Sequence, residues 1–327
     1  MRIFSGIQPT GAKHLGNYIG AIRQCVATQG EGDAFFCIVD LHSITTRYEP
    51  EELREATLSL AALLFAAGVD AARSTTFVQS HVGAHAEAAW LLGSATSFGE
   101  LRRMTQFKEK SEQQEFVSAG LFTYPVLQAA DILLYQTDVV PIGDDQRQHL
   151  ELTRDVAERF NARYGETFTL PEGRYPEVGA RIMDLQEPEK KMSTTGGTAQ
   201  GTLLVLDPPG TVRKKVKSAV TDSGSDVRYA PEEKPGISNL LEIMSVATGE
   251  PIDAIAGRYD GRGYGRFKDD VAEAVVALLD PIRSRYDELR ADEGELRRLL
   301  AAGAEKAREA SAPTLEAMYE RMGFVRP

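Results

Sequence analysis

The chain has 327 residues, of which 42% are hydrophobic and 26% charged, with a formal net charge of −11 at pH 7. Such a length and composition are typical of a globular protein with one large core and a smaller domain. The acidic balance excludes indiscriminate nucleic-acid binding, and the longest nearly apolar run, residues 58–69, is too short to span a membrane, so we expect a cytoplasmic protein.

The first half of the chain alternates strand-like and helix-like segments. Strand patterns cover residues 3–7, 34–39, 75–79 and 139–142, and helical patterns cover residues 18–27, 50–67, a segment from residue 84, 121–135 and 146–164. Strands separated by helices pair in parallel through right-handed crossovers, which predicts an α/β fold with a doubly wound, Rossmann-like parallel sheet. Ligands of such sheets bind beyond the carboxyl ends of the strands, where Gln8, Asp40, His42 and Gly143 fall.

The second half reads differently. Proline and glycine make residues 171–201 loop-rich, and helical patterns then cover residues 211–220, 237–247, 252–259, 267–290 and 294–322. This predicts a second, smaller, all-helical domain. Its basic run at residues 213–217 (RKKVK) is the best local patch for RNA, although such a run is often only a solvated helix face.

Two short stretches carry phosphate-binding chemistry. His14 opens HLGN at residues 14–17, where a glycine-bearing loop leads into the first helix, and the N–H groups of a helix N-terminus suit an anion. Lys191 opens KMSTT at residues 191–195, on a glycine-rich loop. Neither stretch is a Walker or dinucleotide motif. The alternative for His14 is a surface histidine that only caps the helix.

Two carboxylate positions also stand out. Asp131 lies in an otherwise apolar helix, where a buried carboxylate needs a donor, and its alternative is an exposed position at the helix end. GDDQ at residues 143–146 links a strand to a helix, so Asp144 and Asp145 either reach a ligand or cap that helix. The two cysteines, Cys25 and Cys37, are expected to be buried free thiols, and no metal-binding pattern appears.

The order of HLGN, GDDQ and KMSTT resembles the HIGH and KMSKS signatures of class I aminoacyl-tRNA synthetases. FSGIQPTG at residues 4–11, MTQFK at 104–108, AADILLY at 129–135 and AVTDS at 219–223 resemble the bacterial tryptophanyl-tRNA synthetases, and the likeness runs from Arg2 to Phe324. The resemblance implies an ATP-dependent tryptophan–tRNA ligase. Such an enzyme activates L-tryptophan to tryptophanyl-adenylate, releases pyrophosphate and transfers the acyl group to tRNA(Trp).

The resemblance also implies the residues of the site. The implied catalytic residues are His14, Lys110 and Lys191. The implied ATP-binding residues are Gln8, Pro9, Thr10, Gly16, Asn17, Gly143, Asp144, Asp145, Ile182, Lys191, Met192, Ser193, Thr194 and Thr195. The implied tryptophan-binding residues are Phe4, His42, Tyr124, Gln128, Asp131 and Gln146, with Asp131 accepting a hydrogen bond from the indole N–H. Mg²⁺ is expected to arrive with ATP, with no protein metal site.

The resemblance divides the chain into three parts. Residues 1–180 form the Rossmann-like domain that binds ATP and the amino acid. Residues 181–290 form the helical domain with the KMSKS-like loop and the tRNA anticodon contacts, and residues 291–327 form a C-terminal helix that packs back on the first domain. A homodimer is expected.

The chain departs from the family pattern at two places. Thr194 stands where the second lysine of KMSKS is usual, and Lys110, Lys190 or backbone donors at Gly196 and Gly197 are candidates to compensate. Gln128 stands where methionine is common, which changes the pocket. Three other functions remain: the sibling tyrosine enzyme, a non-catalytic regulatory protein that binds RNA or an adenylate, and a generic nucleotidyltransferase.

Overall fold

The computed structural model describes residues 1–112, 116–143, 146–175, 181–194 and 196–325, and of Glu109 and Lys110 only the backbone. Its strands are β1 (Arg2–Ile7), β2 (Asp33–Ile38), β3 (Ser74–Val78), β4 (Val139–Pro141) and β5 (Glu172–Arg174). They form one sheet in the order β3-β2-β1-β4-β5, and each pairing is parallel. The predicted doubly wound parallel sheet is therefore confirmed. β5 corrects the prediction that its residues belong to a loop.

The helices of the described chain follow in sequence order. They are α1 (Leu15–Asn17), α2 (Arg23–Thr28), α3 (Asp40–Ser43), α4 (Pro50–Ala66), α5 (Ala84–Gly93), α6 (Phe98–Arg103), α7 (Thr105–Glu112), α8 (Ala119–Leu133), α9 (Arg147–Tyr164), α10 (Pro209–Lys217), α11 (Pro235–Thr248), α12 (Ile252–Arg258), α13 (Gly263–Ala291) and α14 (Glu293–Met322). A π-helical turn, Tyr18–Ile22, joins α1 to α2, and a 3₁₀ turn, Gln79–His81, follows β3. The predicted helices are present, and the short helices α3, α6 and α7 were not predicted.

The chain forms two compact units. The first unit contains residues 1–10, 25–177 and 292–327, and the second contains residues 11–24 and 178–291. Residues 11–24 group with the second unit, which the alternation of strands and helices did not predict. Among the described residues, no helix combines the length and the apolar content needed to cross a membrane.

The first unit is built around the sheet. All residues of β2 after Asp33 are buried, as expected for a strand covered by helices on both faces. Helix α14 packs directly on β3: a Cβ atom added to Gly303 would lie 1.8 Å from the carbonyl oxygen of Thr76. Only glycine fits at this position, because any side chain would overlap the strand.

The second unit has its own helical core. Helix α13 packs against α10 and α11, and the side chains at the centre are almost fully buried. They include Val212, Val216, Ile237, Leu240, Phe267 and Val271. Residues 11–24 are held to this unit by backbone hydrogen bonds: Leu15 N donates to Leu203 O at 2.8 Å, and Val205 N donates to Lys13 O at 2.9 Å.

Candidate active site

The parallel sheet of the first unit collects polar residues at one edge. Gln8 follows β1, His42 lies in α3 just after β2, and Gln79 follows β3. Gly143 and Gln146 follow β4. The sheet order reverses between β1 and β4, and such a reversal opens a crevice at the carboxyl ends of the strands. Fold topology therefore brings these residues to the edge where an α/β protein binds its ligand.

Asp131 lies at the centre of a buried hydrogen-bond network in the first unit. It is 1% exposed, so the alternative of a solvent-exposed position at the helix end is wrong. Its Oδ1 accepts from Gln79 Nε2 at 2.6 Å and from His85 Nδ1 at 2.6 Å. Its Oδ2 accepts from His42 Nε2 at 2.8 Å. Three donors thus surround a carboxylate that the sequence placed in an apolar helix.

These donors decide the charge of Asp131. Burial alone would raise the pKa of its carboxyl, but hydrogen bonds from His42 and His85, together with the charge interactions, outweigh burial and hold the pKa at about 2. Asp131 is therefore ionised at neutral pH. A buried carboxylate that stays ionised is a strong acceptor for a ligand N–H group.

The other predicted pocket residues lie in the same unit. Phe4 is 3% exposed and stacks on Tyr135, with ring centroids 5.6 Å apart. Tyr124 contacts the edge of His42 at a centroid distance of 6.2 Å. Gln128 Nε2 donates to Gln146 Oε1 at 3.3 Å. The glutamine at position 128 therefore forms a polar contact with Gln146 that a methionine could not make.

Tyr124 has further polar neighbours that the sequence did not reveal. Its hydroxyl lies 2.8 Å from His149 Nε2 and donates to Gln106 Oε1 at 3.2 Å. The sequence analysis also missed Gln79, His85 and Tyr135. The signal was available in part, because a buried carboxylate at position 131 requires several donors, but only the fold identifies which residues supply them.

His14 in the second unit caps α1, as one alternative held, but it is not a surface residue, since it is only 6% exposed. Its Nδ1 accepts from the backbone N–H of Asn17 at 3.3 Å, and its own backbone N–H donates to Asn17 Oδ1 at 3.1 Å. An imidazole that accepts at Nδ1 carries its proton on Nε2 in the neutral form. Nε2 is then the donor that His14 can offer to a ligand.

His14 is neutral at neutral pH because its surroundings disfavour the protonated imidazole. Burial, followed by the positive charges of Lys191 and Lys13, lowers the pKa of His14 to about 4. Burial also lowers the pKa of Lys13 to about 8. The electrostatic effect of both lysines on His14 shows that cationic groups from residues 11–24 and from the KMSTT loop act on one imidazole. Lys13 was not among the predicted site residues.

The KMSTT loop of the second unit is fixed by a short antiparallel contact. Met183 pairs with Lys191, and Met192 N donates to Ile182 O at 3.1 Å. Ile182 and Met192 are buried, at 2% and 1% exposure, whereas Lys191 is exposed. Met192 and Ile182 therefore position the loop by packing, and Lys191 lies exposed at its start.

The residues that follow Lys191 are held locally. Gly196 N donates to Ser193 Oγ at 3.2 Å, and Thr202 Oγ1 donates to Ser193 O at 3.0 Å. Thr194 Oγ1 lies 3.5 Å from the position of a Cβ atom on Gly11, whose φ of +63° favours glycine. Thr194 thus contacts the loop that precedes His14.

Two of the suggested compensations for Thr194 are weakened by this geometry. Lys190 forms an exposed ion pair with Glu187, and the Gly196 N–H already donates within the loop. Lys13 is a better candidate, because its charge acts on His14.

The basic run of α10 is largely neutralised. Arg213 donates to both carboxylate oxygens of Glu273, at 2.6 and 2.9 Å, and Lys217 lies 3.0 Å from Asp269. Lys215 is buried and donates to Asp207 Oδ2 at 2.7 Å. Of the four cations, Lys214 is exposed and takes part in none of the ion pairs of the described residues.

Four predicted site residues lie outside the described residues: Asp144, Asp145, Thr195 and the side chain of Lys110. Gly143, Thr10 and Thr194 are exposed, Pro9 is buried, and Gln8, Gly16 and Asn17 are half-buried. Cys25 and Cys37 are buried free thiols, as expected. Within the described part of the chain, no group of three or more His, Cys, Asp or Glu side chains could hold a metal ion.

Sequence comparisons find one matching family and relatives that align with nearly the whole chain. A profile of the family "tRNA synthetases class I (W and Y)" matches residues 1–280. The tryptophan–tRNA ligase of Listeria monocytogenes is 55% identical over 324 residues, covering 99% of this chain and 98% of the relative. The tryptophan–tRNA ligase of Corynebacterium glutamicum is 53% identical over 327 residues, covering 99% of this chain and 95% of the relative.

A solved structure extends the comparison to the whole fold. The tryptophanyl-tRNA synthetase of Campylobacter jejuni in complex with ADP and tryptophan aligns with a TM-score of 0.88 at 36% identity, covering 99% of this chain and all of that chain. Both units of the present chain thus have counterparts in a protein that binds an adenine nucleotide and tryptophan.

Proposed function

The chain belongs to the class I tRNA synthetases (W and Y), and from this premise we propose that it acts as a tryptophan–tRNA ligase. In the first step the carboxylate of L-tryptophan attacks the α-phosphorus of ATP, giving tryptophanyl-adenylate and pyrophosphate. In the second step the terminal ribose hydroxyl of tRNA(Trp) displaces AMP. The resemblance predicted from the sequence motifs is confirmed by the comparisons.

The buried carboxylate of Asp131 is the observation that carries the choice of amino acid. A carboxylate offers about four acceptor positions, and Oδ2 accepts from His42 alone among the described residues. The indole N–H of tryptophan is a donor only, so it fills a remaining position on this oxygen. Phe4 and Tyr124 supply the apolar and aromatic contacts for the indole ring, and Gln146 binds the ammonium group with Gln128 behind it.

ATP activation requires the protein to hold two anions close together and to stabilise charge on the phosphates. Neutral His14 donates from Nε2 to a phosphate oxygen, Gly16 and Asn17 contact the nucleotide, and Lys191 supplies positive charge. The other ATP-binding residues named in the sequence analysis are assigned by the family resemblance alone.

Magnesium would enter together with the nucleotide. Mg²⁺ prefers oxygen ligands and commonly binds nucleotide phosphates with few protein ligands. Bound in this way, it would supply positive charge to the phosphates. The chain's own task is then to orient MgATP through Lys191 and His14.

The tRNA and subunit contacts belong to the same proposal. Residues 181–290 contact the anticodon region of tRNA(Trp), and residues 1–180 with the C-terminal helix form the amino-acid-activating domain. The enzyme is a cytoplasmic homodimer. Trp90, Phe98 and Phe116 of the first unit, which are 84%, 69% and 79% exposed, supply apolar surface for the second copy.

Side-by-side ATP–pyrophosphate exchange with tryptophan and with tyrosine tests the proposal. We expect exchange stimulated by tryptophan at micromolar concentrations and at least about 1,000-fold lower kcat/KM with tyrosine, because the pocket is built around an indole donor. Exchange stimulated by tyrosine alone would assign the chain to the sibling enzyme. Neither exchange nor charging of tRNA(Trp) by the pure protein would point to a non-catalytic relative.

A further inference from the structure

The carboxylate of Asp131 is held differently on its two sides. On one side, Gln79 and His85, both fully buried, donate to Oδ1. On the other side, His42, whose side chain is 12% exposed, donates to Oδ2. The closed side therefore fixes the orientation of the carboxylate, and the more open side is the one that faces a ligand.

The closed side continues beyond His85. His85 Nε2 lies 2.8 Å from the hydroxyl oxygen of Tyr135, and Ser311 of α14, whose hydroxyl donates to Arg308 O at 3.2 Å, also acts on the Tyr135 hydroxyl. His85, Tyr135 and Ser311 are each fully buried. The three residues, here named the support chain, link the specificity carboxylate to the C-terminal helix.

The directions of these hydrogen bonds follow from chemistry. His85 Nδ1 must donate, because the carboxylate oxygen that it meets can only accept. In a neutral imidazole the other nitrogen, Nε2, is then the acceptor, so Tyr135 donates its O–H to His85. Burial, together with the negative charge of Asp131, raises the pKa of Tyr135, which keeps this donor protonated. The single hydroxyl hydrogen of Ser311 can go either to Arg308 O, 3.2 Å away, or to the Tyr135 oxygen.

The far end of the support chain is rigid. Helix α14 is seated on β3 at Gly303, where no side chain would fit. Tyr135 is clamped by rings on two sides, with centroids 4.6 Å from Phe35 and 5.7 Å from Phe77. The hydroxyl of Tyr135 therefore has little freedom to leave His85.

We propose that His85, Tyr135 and Ser311 are positioning residues for the recognition of the indole N–H. Tyr135 holds the ring of His85 in the orientation in which Nδ1 donates to Oδ1, and this hydrogen bond turns Oδ2 of Asp131 toward the substrate. Without the Tyr135 hydroxyl, Nε2 of His85 loses its partner, so the imidazole can rotate and holds the carboxylate less firmly. The inference rests on the proposed function, since it assigns a role in tryptophan recognition.

The experiment compares tryptophan with β-(benzothienyl)alanine, which carries sulfur in place of the indole N–H. For Tyr135→Phe we expect the KM for tryptophan to rise about tenfold, the KM for ATP to stay unchanged, and the ratio of kcat/KM for tryptophan to that for the analogue to fall about tenfold. For Ser311→Ala we expect a change in the same direction of about threefold, because it acts one hydrogen bond further away.

Helix α14 offers a matched control. Thr314 is also buried, and its hydroxyl accepts from Gln136 Nε2 at 3.1 Å, outside the support chain. Thr314→Val deletes one buried hydroxyl, as Ser311→Ala does, but should leave the discrimination ratio unchanged. A second test uses His85→Asn, because the asparagine amide can still donate to Oδ1 but has no second ring nitrogen to accept from Tyr135. Tyr135→Phe should add no further loss of discrimination in that background.

The outcomes distinguish a failure of the support chain from a failure of the proposed function. If the unaltered protein catalyses tryptophan-dependent exchange and Tyr135→Phe keeps the discrimination ratio, the support chain is wrong although the proposed function stands. If Tyr135→Phe does not fold, equal ratios for Ser311→Ala and Thr314→Val overturn the inference. If the unaltered protein shows no exchange with tryptophan, the proposed function and the inference both fail.

Discussion

Asp131 in the first unit and His14 in the second are both buried ionisable groups, yet their surroundings act on their charge in opposite ways. Asp131 accepts hydrogen bonds from Gln79, His85 and His42, and its pKa is held at about 2. His14 is desolvated beside the charges of Lys191 and Lys13, and its pKa is lowered to about 4. At neutral pH the first group is charged and the second is neutral.

Under the proposed function, the difference corresponds to two kinds of recognition. Tryptophan presents a neutral donor, which a fixed and fully oriented carboxylate can select. ATP presents several negative charges, which the proposal assigns to a neutral donor, His14, and to the ammonium group of Lys191.

The largest effect is expected at Lys191. Lys191→Ala should reduce kcat/KM in ATP–pyrophosphate exchange by about 1,000-fold, because it removes a charge that stabilises the phosphates in the transition state. Lys190→Ala is the matched control, since that neighbouring lysine pairs with Glu187 at the surface and should retain nearly full activity. Thr194→Ala should be mild, within about fivefold. Near-equal losses at positions 191 and 194 would contradict this assignment.

A somewhat smaller effect on exchange is expected for Asp131→Asn. The KM for tryptophan should rise about 100-fold, and the free energy of unfolding in urea should fall by about 3 kcal/mol, because the donors around the carboxylate lose their ionised partner. Asp155→Asn makes the same change at an exposed position of α9 and should alter neither quantity. An unchanged KM in a well-folded Asp131→Asn protein would remove the basis for the tryptophan pocket.

The contributions of His14 and Asp131 to the free energy of unfolding should depend differently on pH. The pKa of His14 is about 4 in the folded protein and near 6.5 in the unfolded chain, so the unfolded state binds the proton more readily and stability falls as pH drops through this window. From pH 7 to pH 5, the native chain should lose roughly 1 to 2 kcal/mol more than His14→Asn.

Asp131 serves as the contrasting case in the same titration. Its folded pKa of about 2 lies below the usual aspartate value of 3.8, so its stabilising contribution is present above about pH 4 and is lost only below that value. The difference between the native chain and Asp131→Asn should therefore stay constant between pH 7 and pH 5. Urea unfolding at several pH values checks both expectations, and equal pH dependence of the two variants would contradict them.

The smallest effect concerns the basic run of α10. Lys214→Ala should raise the KM for tRNA a few-fold, lower the salt dependence by about one phosphate contact and leave amino-acid activation unchanged. Lys215→Met should instead lower stability, because it leaves Asp207 buried without its cation. Aminoacylation at several salt concentrations measures the first effect. Loss of tRNA affinity in Lys215→Met with unchanged stability would reverse these roles.

Local sequence patterns predict much of the fold. The parallel sheet followed from strands separated by helices, because hydrophobic periodicity and turn residues are local properties. β5 was missed because a three-residue strand, Glu172–Arg174, carries no periodic signal, and its pairing with β4 is a long-range event. The sequence pattern likewise assigns residues 11–24 to the first domain. Backbone hydrogen bonds to residues 203–205 instead hold them in the second unit.

Residue type and spacing in HLGN, KMSTT and around Asp131 are enough to predict the family, the class of fold and the identity of the central groups. The surroundings of those groups depend on the folded chain. Gln79 and His85 meet Asp131 from elements far apart in the chain, Tyr135 meets His85 across 50 residues, and Lys13 acts on His14 together with Lys191. Charge state depends on burial and on neighbouring donors, which arise only when distant segments pack together.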